Sequence, residues 1–261
     1  MSQTTMTALI TGASSGIGKA LAEKFAGGGY NLILAARGVT KMEELGAALM
    51  GRYGVTVSVI GADLETADGA MRLVEEIRRR GLVVSALANN AGYAVFGEFQ
   101  KTELAVELAS MQLNMMSVVA LTKLLLPDLI ANKGKILNTA STAAFQPGPY
   151  MAVYYATKAF VLSFSEAIGA ELEGSGVTVT ALCPGPTASG FQDRASMQDS
   201  GLVKGKRLPT AESVAAIGYR AMQRGERVVI PGAMNWLLAQ SVRFTPRRVV
   251  TSMVKAMSKP V

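Results

Sequence analysis

Short apolar runs of strand length alternate with longer stretches whose apolar residues recur every three or four positions, and the alternation continues along most of the chain. Apolar runs at 5–11, 31–36, 56–61, 85–89, 135–139 and 177–183 predict strands, with a last short one at 227–230. Between them, helical spacing predicts helices at 17–26, 40–53, 67–80, 103–131, 154–174 and 211–224. Strand and helix taking turns in this way argues for an α/β fold, a parallel sheet covered by helices on both faces. No internal repeat or low-complexity tract interrupts it.

Composition narrows the picture. The chain has 261 residues, 49% of them apolar, with no compositional break, so one domain with one large core is expected over 1–261. Histidine is absent, which removes the commonest general base, the commonest zinc ligand and every Ser-His-Asp arrangement. The single cysteine, Cys183, can form neither an internal disulfide nor a thiolate cluster; it suits a reducing compartment, a small buried apolar position and no metal site. The N-terminus lacks the basic start of a signal peptide, and a cytoplasmic location is expected. Residues 121–129 contain Lys123, Pro127 and Asp128, and the uncharged run 228–242 is short of the roughly 20 residues a spanning helix needs. The net charge of +7 comes from 26 basic and 19 acidic residues, and it concentrates in 234–261, where Arg243, Arg247, Arg248, Lys255 and Lys259 stand with no acid. No nucleic-acid-reading motif accompanies that charge.

Candidate chemistry lies at strand ends. Tyr154 and Lys158 are four apart on a predicted helix and leave one face as neighbours, although Tyr155, three before Lys158, can face it too. A phenol with a pKa of about 10 is a poor acid or base at neutrality. A unit charge at ~4 Å with an effective dielectric of ~20 contributes about 4 kcal/mol, enough to bring the phenol near neutral pH. Ser141 precedes the loop 146–150, which can fold back and place the Ser141 hydroxyl beside the phenol as a second donor to a substrate oxygen. After the first strand, the turn 11–18 carries Gly12, Gly16 and Gly18: the first permits a sharp turn, the second lets backbone amides meet a pyrophosphate, the third lets helix and strand pack closely. The second strand ends in Ala35-Ala36-Arg37, a guanidinium where NAD-binding folds place an acid, which favours a 2′-phosphate. Asp63 follows the third strand, and Asn89-Asn90-Ala91-Gly92 the fourth. Asn114 sits badly in a helix interior and suggests a bound water or a kink.

On these motifs, together with Pro184-Gly185, residues 6–231 are similar to the short-chain dehydrogenase/reductase family. The resemblance implies a Rossmann-type, doubly wound sheet, a homotetramer or dimer, and reversible hydride transfer between NADP, or NAD, and a small-molecule carbonyl or alcohol. It implies that Tyr154 is the general acid, Ser141 the holder of the carbonyl oxygen, Lys158 the ribose ligand that lowers the phenol's pKa, and Asn114 the holder of a water. It makes Gly12, Ser14, Ser15, Gly16, Ile17, Gly18, Arg37, Asp63, Leu64, Asn90, Ala91, Gly92, Tyr154, Lys158, Pro184, Gly185 and Thr187 the cofactor contacts, with Asn89 beside the adenosine ribose. The family spacing from serine selects Tyr154 over Tyr155.

Two segments flank the reacting carbon. Ala143, Phe145, Tyr150 and Met151 in the first and Phe191 and Met197 in the second, with Ser141, suggest an apolar substrate pocket, and 186–208, rich in glycine and charge, suggests a mobile lid. The extension 234–261 places Val249, Val250, Met253, Val254 and Met257 on one helical face with Thr245-Pro246 at its start. Packing on the body or another subunit, covering the substrate entrance, and lying on an anionic membrane are its three candidate uses. A cofactor-sensing binding protein on the same fold is the rival reading from another functional class.

Overall fold

The apolar runs become strands and the periodic stretches helices. The computed structural model describes residues 6–190, 205 and 207–259. In chain order it shows β1 (Thr7–Thr11), α1 (Gly16–Gly27), β2 (Asn31–Ala36), α2 (Val39–Tyr53), β3 (Val57–Gly61), α3 (Gly69–Arg79), β4 (Ala86–Asn89), α4 (Leu104–Met111), α5 (Ser117–Ala131), β5 (Lys135–Thr139) and α6 (Ala152–Glu171). β6 (Thr178–Leu182), α7 (Ala211–Arg224), β7 (Val228–Val229), α8 (Ala233–Ser241) and α9 (Arg247–Ser258) follow. The strands form one parallel sheet in the order β3-β2-β1-β4-β5-β6-β7.

Successive side chains of a strand point to opposite faces, and both faces here are apolar. Ala8 and Ile10 of β1 join Leu32 and Leu34 of β2 in a core with Leu21 and Phe25 of α1, Met42 of α2 and Val214 of α7. Leu9, Ile33 and Ala35 face the other way, into a core with Leu73 and Ile77 of α3 and Leu121 and Leu125 of α5. β1 pairs with β2 on one side and β4 on the other, so the chain leaves their carboxyl ends in opposite directions and a crevice opens between them. The run Leu104–Ala131 is long and apolar enough to cross a membrane, yet Leu113, Val118, Leu121, Leu125 and Leu129 of it are buried in this protein.

The expected helix 103–131 is interrupted. Gln112–Met116 forms a π turn between α4 and α5, centred on Asn114, so the kink read from that residue is present. Helix α8 was not expected: after Pro231, Gly232, at φ 94, turns the chain into a new helix. The last helix starts at Arg247, with Pro246 just before it rather than in its first turn.

The sheet interior holds one polar network. Asn138 of β5 is fully buried; its Oδ1 accepts from Asn89 Nδ2 at 2.9 Å, and its Nδ2 donates to Ser165 Oγ at 2.9 Å. We expect Asn138→Ala to lower the unfolding free energy by about 2 kcal/mol in urea titration while cofactor affinity stays near wild type, because Asn138 lies behind the cleft.

Candidate active site

The glycine turn is pressed onto the end of β4. Gly12 has φ +66, and a Cβ there would stand 2.9 Å from Ala91 Cα; one on Gly18 would stand 2.2 Å from the Gly12 carbonyl oxygen. Both positions therefore exclude side chains. Thr11 fastens the contact: its Oγ1 accepts from the amides of Asn90 at 2.9 Å and Ala91 at 3.0 Å, and its carbonyl accepts from Asn90 Nδ2 at 3.0 Å. Ser15, extended at the N-cap of α1, makes no side-chain cap, leaving the first helical amides without that acceptor.

At the end of β2, Arg37 reaches across to Glu65, which stands just after β3, with Nη1 to Oε1 at 2.9 Å. Glu65 was missed in the sequence. An acid two residues beyond the strand-end Asp63 was the available signal, and Asp63 itself shapes this turn by accepting the Glu65 amide at 3.0 Å.

The expected role of Asn89 is not met. Its Nδ2 donates to Thr122 Oγ1 at 3.1 Å and to Asn138, and it is 4% exposed inside the sheet. As the last residue of β4 it points into the helix layer, and its neighbour Asn90 faces the cleft.

Tyr154, Lys158 and Ser141 come together. Ser141 sits before a 3-10 turn, Thr142–Phe145, where its Oγ accepts from the Ala143 amide at 3.1 Å and donates to the Pro184 carbonyl at 3.3 Å. It is also hydrogen-bonded to the Tyr154 phenol. Lys158 donates to the Thr139 carbonyl at 2.7 Å, and its Nζ lies over the Tyr154 ring, 5.7 Å from the centroid. Asn114 stands behind Gly92, where its Oδ1 accepts from the Tyr93 amide at 3.2 Å and its Nδ2 donates to the Tyr93 carbonyl at 3.0 Å and to Thr157 Oγ1 at 3.1 Å.

The electrostatics correct an expectation. Burial pushes the Tyr154 phenol well above its ordinary value, against a smaller lowering by the Ser141 hydrogen bond. Lys158 does not reverse this; its ammonium lies over the ring and donates to the Thr139 carbonyl. Tyr154 keeps part of its surface open to the cleft, but its surroundings are protein. Burial also lowers Lys158 to about 8, and Cys183, a neighbour of both Ser141 and Lys158, is pushed by burial up to about 12. At neutral pH the site holds a protonated phenol, an ammonium and a thiol.

These groups share a cleft of about 790 Å³. Its lining includes Gly12, Ser14, Ser15, Gly16, Ile17, Arg37, Asp63, Leu64, Asn90, Ala91 and Gly92 toward one end, and Ser141, Ala143, Met151, Tyr154, Lys158, Pro184, Gly185 and Thr187 toward the other. Gly18 is packed beneath the turn, as its expected packing role implies. Two pocket residues are misplaced in the sequence reading. Phe145 turns into the core beside Val161, Leu162 and Ala181. Tyr150, at φ +68, carries its ring to Phe96 and lines a separate hollow with Glu103 and Val106. Phe191 and Met197 lie outside the described residues, as does most of the expected lid.

The C-terminal extension supplies the rest of the wall. Met234, Asn235, Leu238, Ala239 and Met257 line the cleft, and Val250 and Val254 pack on Met151 and Tyr155. Ser258 of α9, fully buried, faces the Tyr155 side chain. The two phenols therefore part: Tyr154 serves Ser141, and Tyr155 holds the last helix.

Residues 6–200 match the model of a family described as short chain dehydrogenase, and the chain belongs to that family. A very-long-chain 3-oxoacyl-CoA reductase of Phaeosphaeria nodorum is 38% identical over 180 residues, 66% of this chain and 52% of the relative. A sulfoacetaldehyde reductase of Chromohalobacter salexigens is 35% identical over 215 residues, 79% of this chain and 83% of that one. With the 3-oxoacyl-CoA reductases first matched, the shared segment spans 52% and 58% of their length, little more than half. Among solved structures, a short-chain dehydrogenase from Sphingobium yanoikuyae in complex with NADPH superposes with a TM-score of 0.80 at 31% identity, covering 92% of this chain and 94% of that one.

Lys158 gives a pH signature. Its folded pKa, about 8, lies below the ordinary 10.5, so between these values the unfolded chain binds more protons and stability gains from this group as pH rises. We expect the unfolding free energy of wild type to rise, relative to Lys158→Met, between about pH 8 and about pH 10.5 in urea titrations; parallel curves would contradict the buried-cation assignment. Tyr154→Phe is expected to reduce carbonyl turnover by about a thousandfold or more, and Tyr155→Phe to keep turnover within about tenfold while loosening α9, read as faster amide exchange in 247–258.

Proposed function

We propose that this protein is an oxidoreductase that transfers a hydride between a nicotinamide dinucleotide, NADP in preference to NAD, and the carbonyl or alcohol carbon of an apolar substrate. The carrying observation is the single cleft that joins the glycine turn to Tyr154, Ser141 and Lys158. The residues fit the cofactor: side-chain-free glycines and uncapped helical amides suit a pyrophosphate, and Asp63, Leu64 and Arg37 stand where an adenosine end would lie. NADPH, when bound, supplies the hydride.

The chain's own groups handle the oxygen and the proton. Ser141 and Tyr154 offer two hydroxyl donors to one carbonyl oxygen, and the raised phenol pKa keeps the Tyr154 proton in place until charge develops on that oxygen. Lys158 holds positive charge over the ring and favours the phenolate that remains after transfer. Asn114 fixes the Tyr93 backbone behind Gly92 and, through Thr157, whose Oγ1 donates to the Tyr154 carbonyl at 2.8 Å, the turn of α6 that carries the phenol. A binding protein without turnover needs none of this proton-handling set.

The lining is graded. Arg37, Asp63 and Glu65 gather at the adenosine end, while beside Tyr154 the walls include Ala143, Met151, Tyr155, Met234, Leu238 and Met257, with Gln146 and Asn235 as polar members. That composition supports an apolar substrate. Leu104, Leu108 and Met116, exposed on the α4–α5 run, and Phe160 stacked on Phe164 at 5.9 Å on α6 support a homo-oligomer.

A panel of aldehydes and ketones of increasing chain length, followed by NADPH absorbance, tests the reading; no turnover of any member by wild type would refute it. The Arg37–Glu65 pair sets the cofactor expectation. Arg37→Ala is expected to lower the ratio of kcat/KM with NADPH to that with NADH by about 10- to 100-fold, and Glu65→Gln to raise it several-fold by releasing the guanidinium for a 2′-phosphate.

A further inference from the structure

Helix α8 is held to the body by one edge. Ala239 is its buried residue, Met234 and Leu238 turn to the cleft mouth, and Trp236 and Leu237, 54% and 55% exposed, look outward. Phe244, in the turn that follows, is 88% exposed. These large side chains contribute nothing to the protein's own core where they stand, and grouped apolar surface of this kind marks a contact with something else.

The charge around the patch says what that something is. Arg243, Arg247, Arg248, Lys255 and Lys259 are all exposed, none forms an ion pair among the described residues, and 234–261 contains no Asp or Glu. Contact between two copies through 234–261 would set five cations against five, with no acid in the segment to balance them. A surface that is apolar within and anionic at its boundary complements both features at once.

We infer that this face docks on an anionic membrane surface. Trp236, Leu237 and Phe244 enter the boundary between headgroups and acyl chains, a depth that suits an indole, while the arginines and lysines lie over lipid phosphates. Met234 and Leu238 of the same helix line the cleft, so an apolar substrate dissolved in the bilayer would reach it past them. That consequence rests on the function proposed above; the docking does not.

The protein carries its own reporter, because Trp236 is the one tryptophan in the chain. The full-length protein is mixed with phosphatidylcholine vesicles, either alone or with roughly one third phosphatidylserine. Flotation with the anionic vesicles only is expected, with a blue shift of Trp236 emission and its quenching by brominated acyl chains. Leu237→Ser with Phe244→Ser, and separately Arg243→Glu with Arg247→Glu, are each expected to lower the bound fraction about tenfold. Circular dichroism and turnover of a water-soluble ketone should stay unchanged in both variants. Failure to float, flotation with unmoved Trp236 emission, or a dimer in sedimentation that shifts Trp236 emission without lipid and is lost in Leu237→Ser would overturn the proposal. None of these readings depends on turnover, so they separate this inference from the enzymatic one.

Discussion

Three hydrogen bonds in series tie the glycine turn to Lys158. Asn90 Nδ2 donates to the Thr11 carbonyl at 3.0 Å, Thr139 Oγ1 donates to Asn90 Oδ1 at 3.4 Å, and Lys158 Nζ donates to the Thr139 carbonyl at 2.7 Å. Each link crosses from one strand end to the next, from β1 to the loop after β4, then to β5, then to α6. Parallel strands place these ends on one edge of the sheet, and the reversal of direction between β1 and β4 keeps helices from covering it. The distance between the two halves of the cleft is therefore set by the sheet and not by loops, as a ligand reaching from one half to the other requires.

The same chain of bonds explains the electrostatics. An ammonium buried without a carboxylate is disfavoured, and a single carbonyl acceptor satisfies only one of its three donors. The result is a lysine whose pKa falls to about 8 and a tyrosine whose pKa rises, opposite to the simple two-charge expectation for the phenol. Adjacency four apart on a helix brings the side chains near each other but does not say which atom of the phenol the cation meets, and here it meets the ring. A neutral phenol beside a charged lysine is a proton donor at rest; it becomes a base only when something else lowers its pKa.

What the sequence revealed, and what it hid, follows from the range of the forces involved. Strands such as Asn31–Ala36 and helices such as Ala211–Arg224 are written in local periodicity, and the positions of Gly12, Ser141 and Tyr154 in fixed-spacing motifs, so they were legible. Asn89 and Asn90 are adjacent and identical, yet the pleat sends one to the Asn138 network and the other to the cleft; only the strand's exact end decides which. Phe145 and Tyr150 flank the right loop, but a 3-10 turn rotates the first into the core and a positive φ swings the second to Phe96. Glu65 was hidden because its partner Arg37 follows another strand, and the hold on α9 because Val250 and Val254 pack on Tyr155, about a hundred residues earlier.

The C-terminal extension draws these strands of reasoning together. Burying Val250 and Val254 against Met151 and Tyr155 stabilises α9 by about 2 kcal/mol per side chain, enough to hold the helix but obtained from one stripe of it. The rest of the segment completes the substrate wall through Met257, Met234 and Leu238, and it carries five cations and no acid. Packing on the body and covering the entrance, alternatives on sequence grounds, are thus one arrangement. A helix serving only as a wall would gain solubility from a polar outer face. Trp236, Leu237 and Phe244 stand there instead, so the outer face of α8 has a physical role of its own beyond closing the cleft.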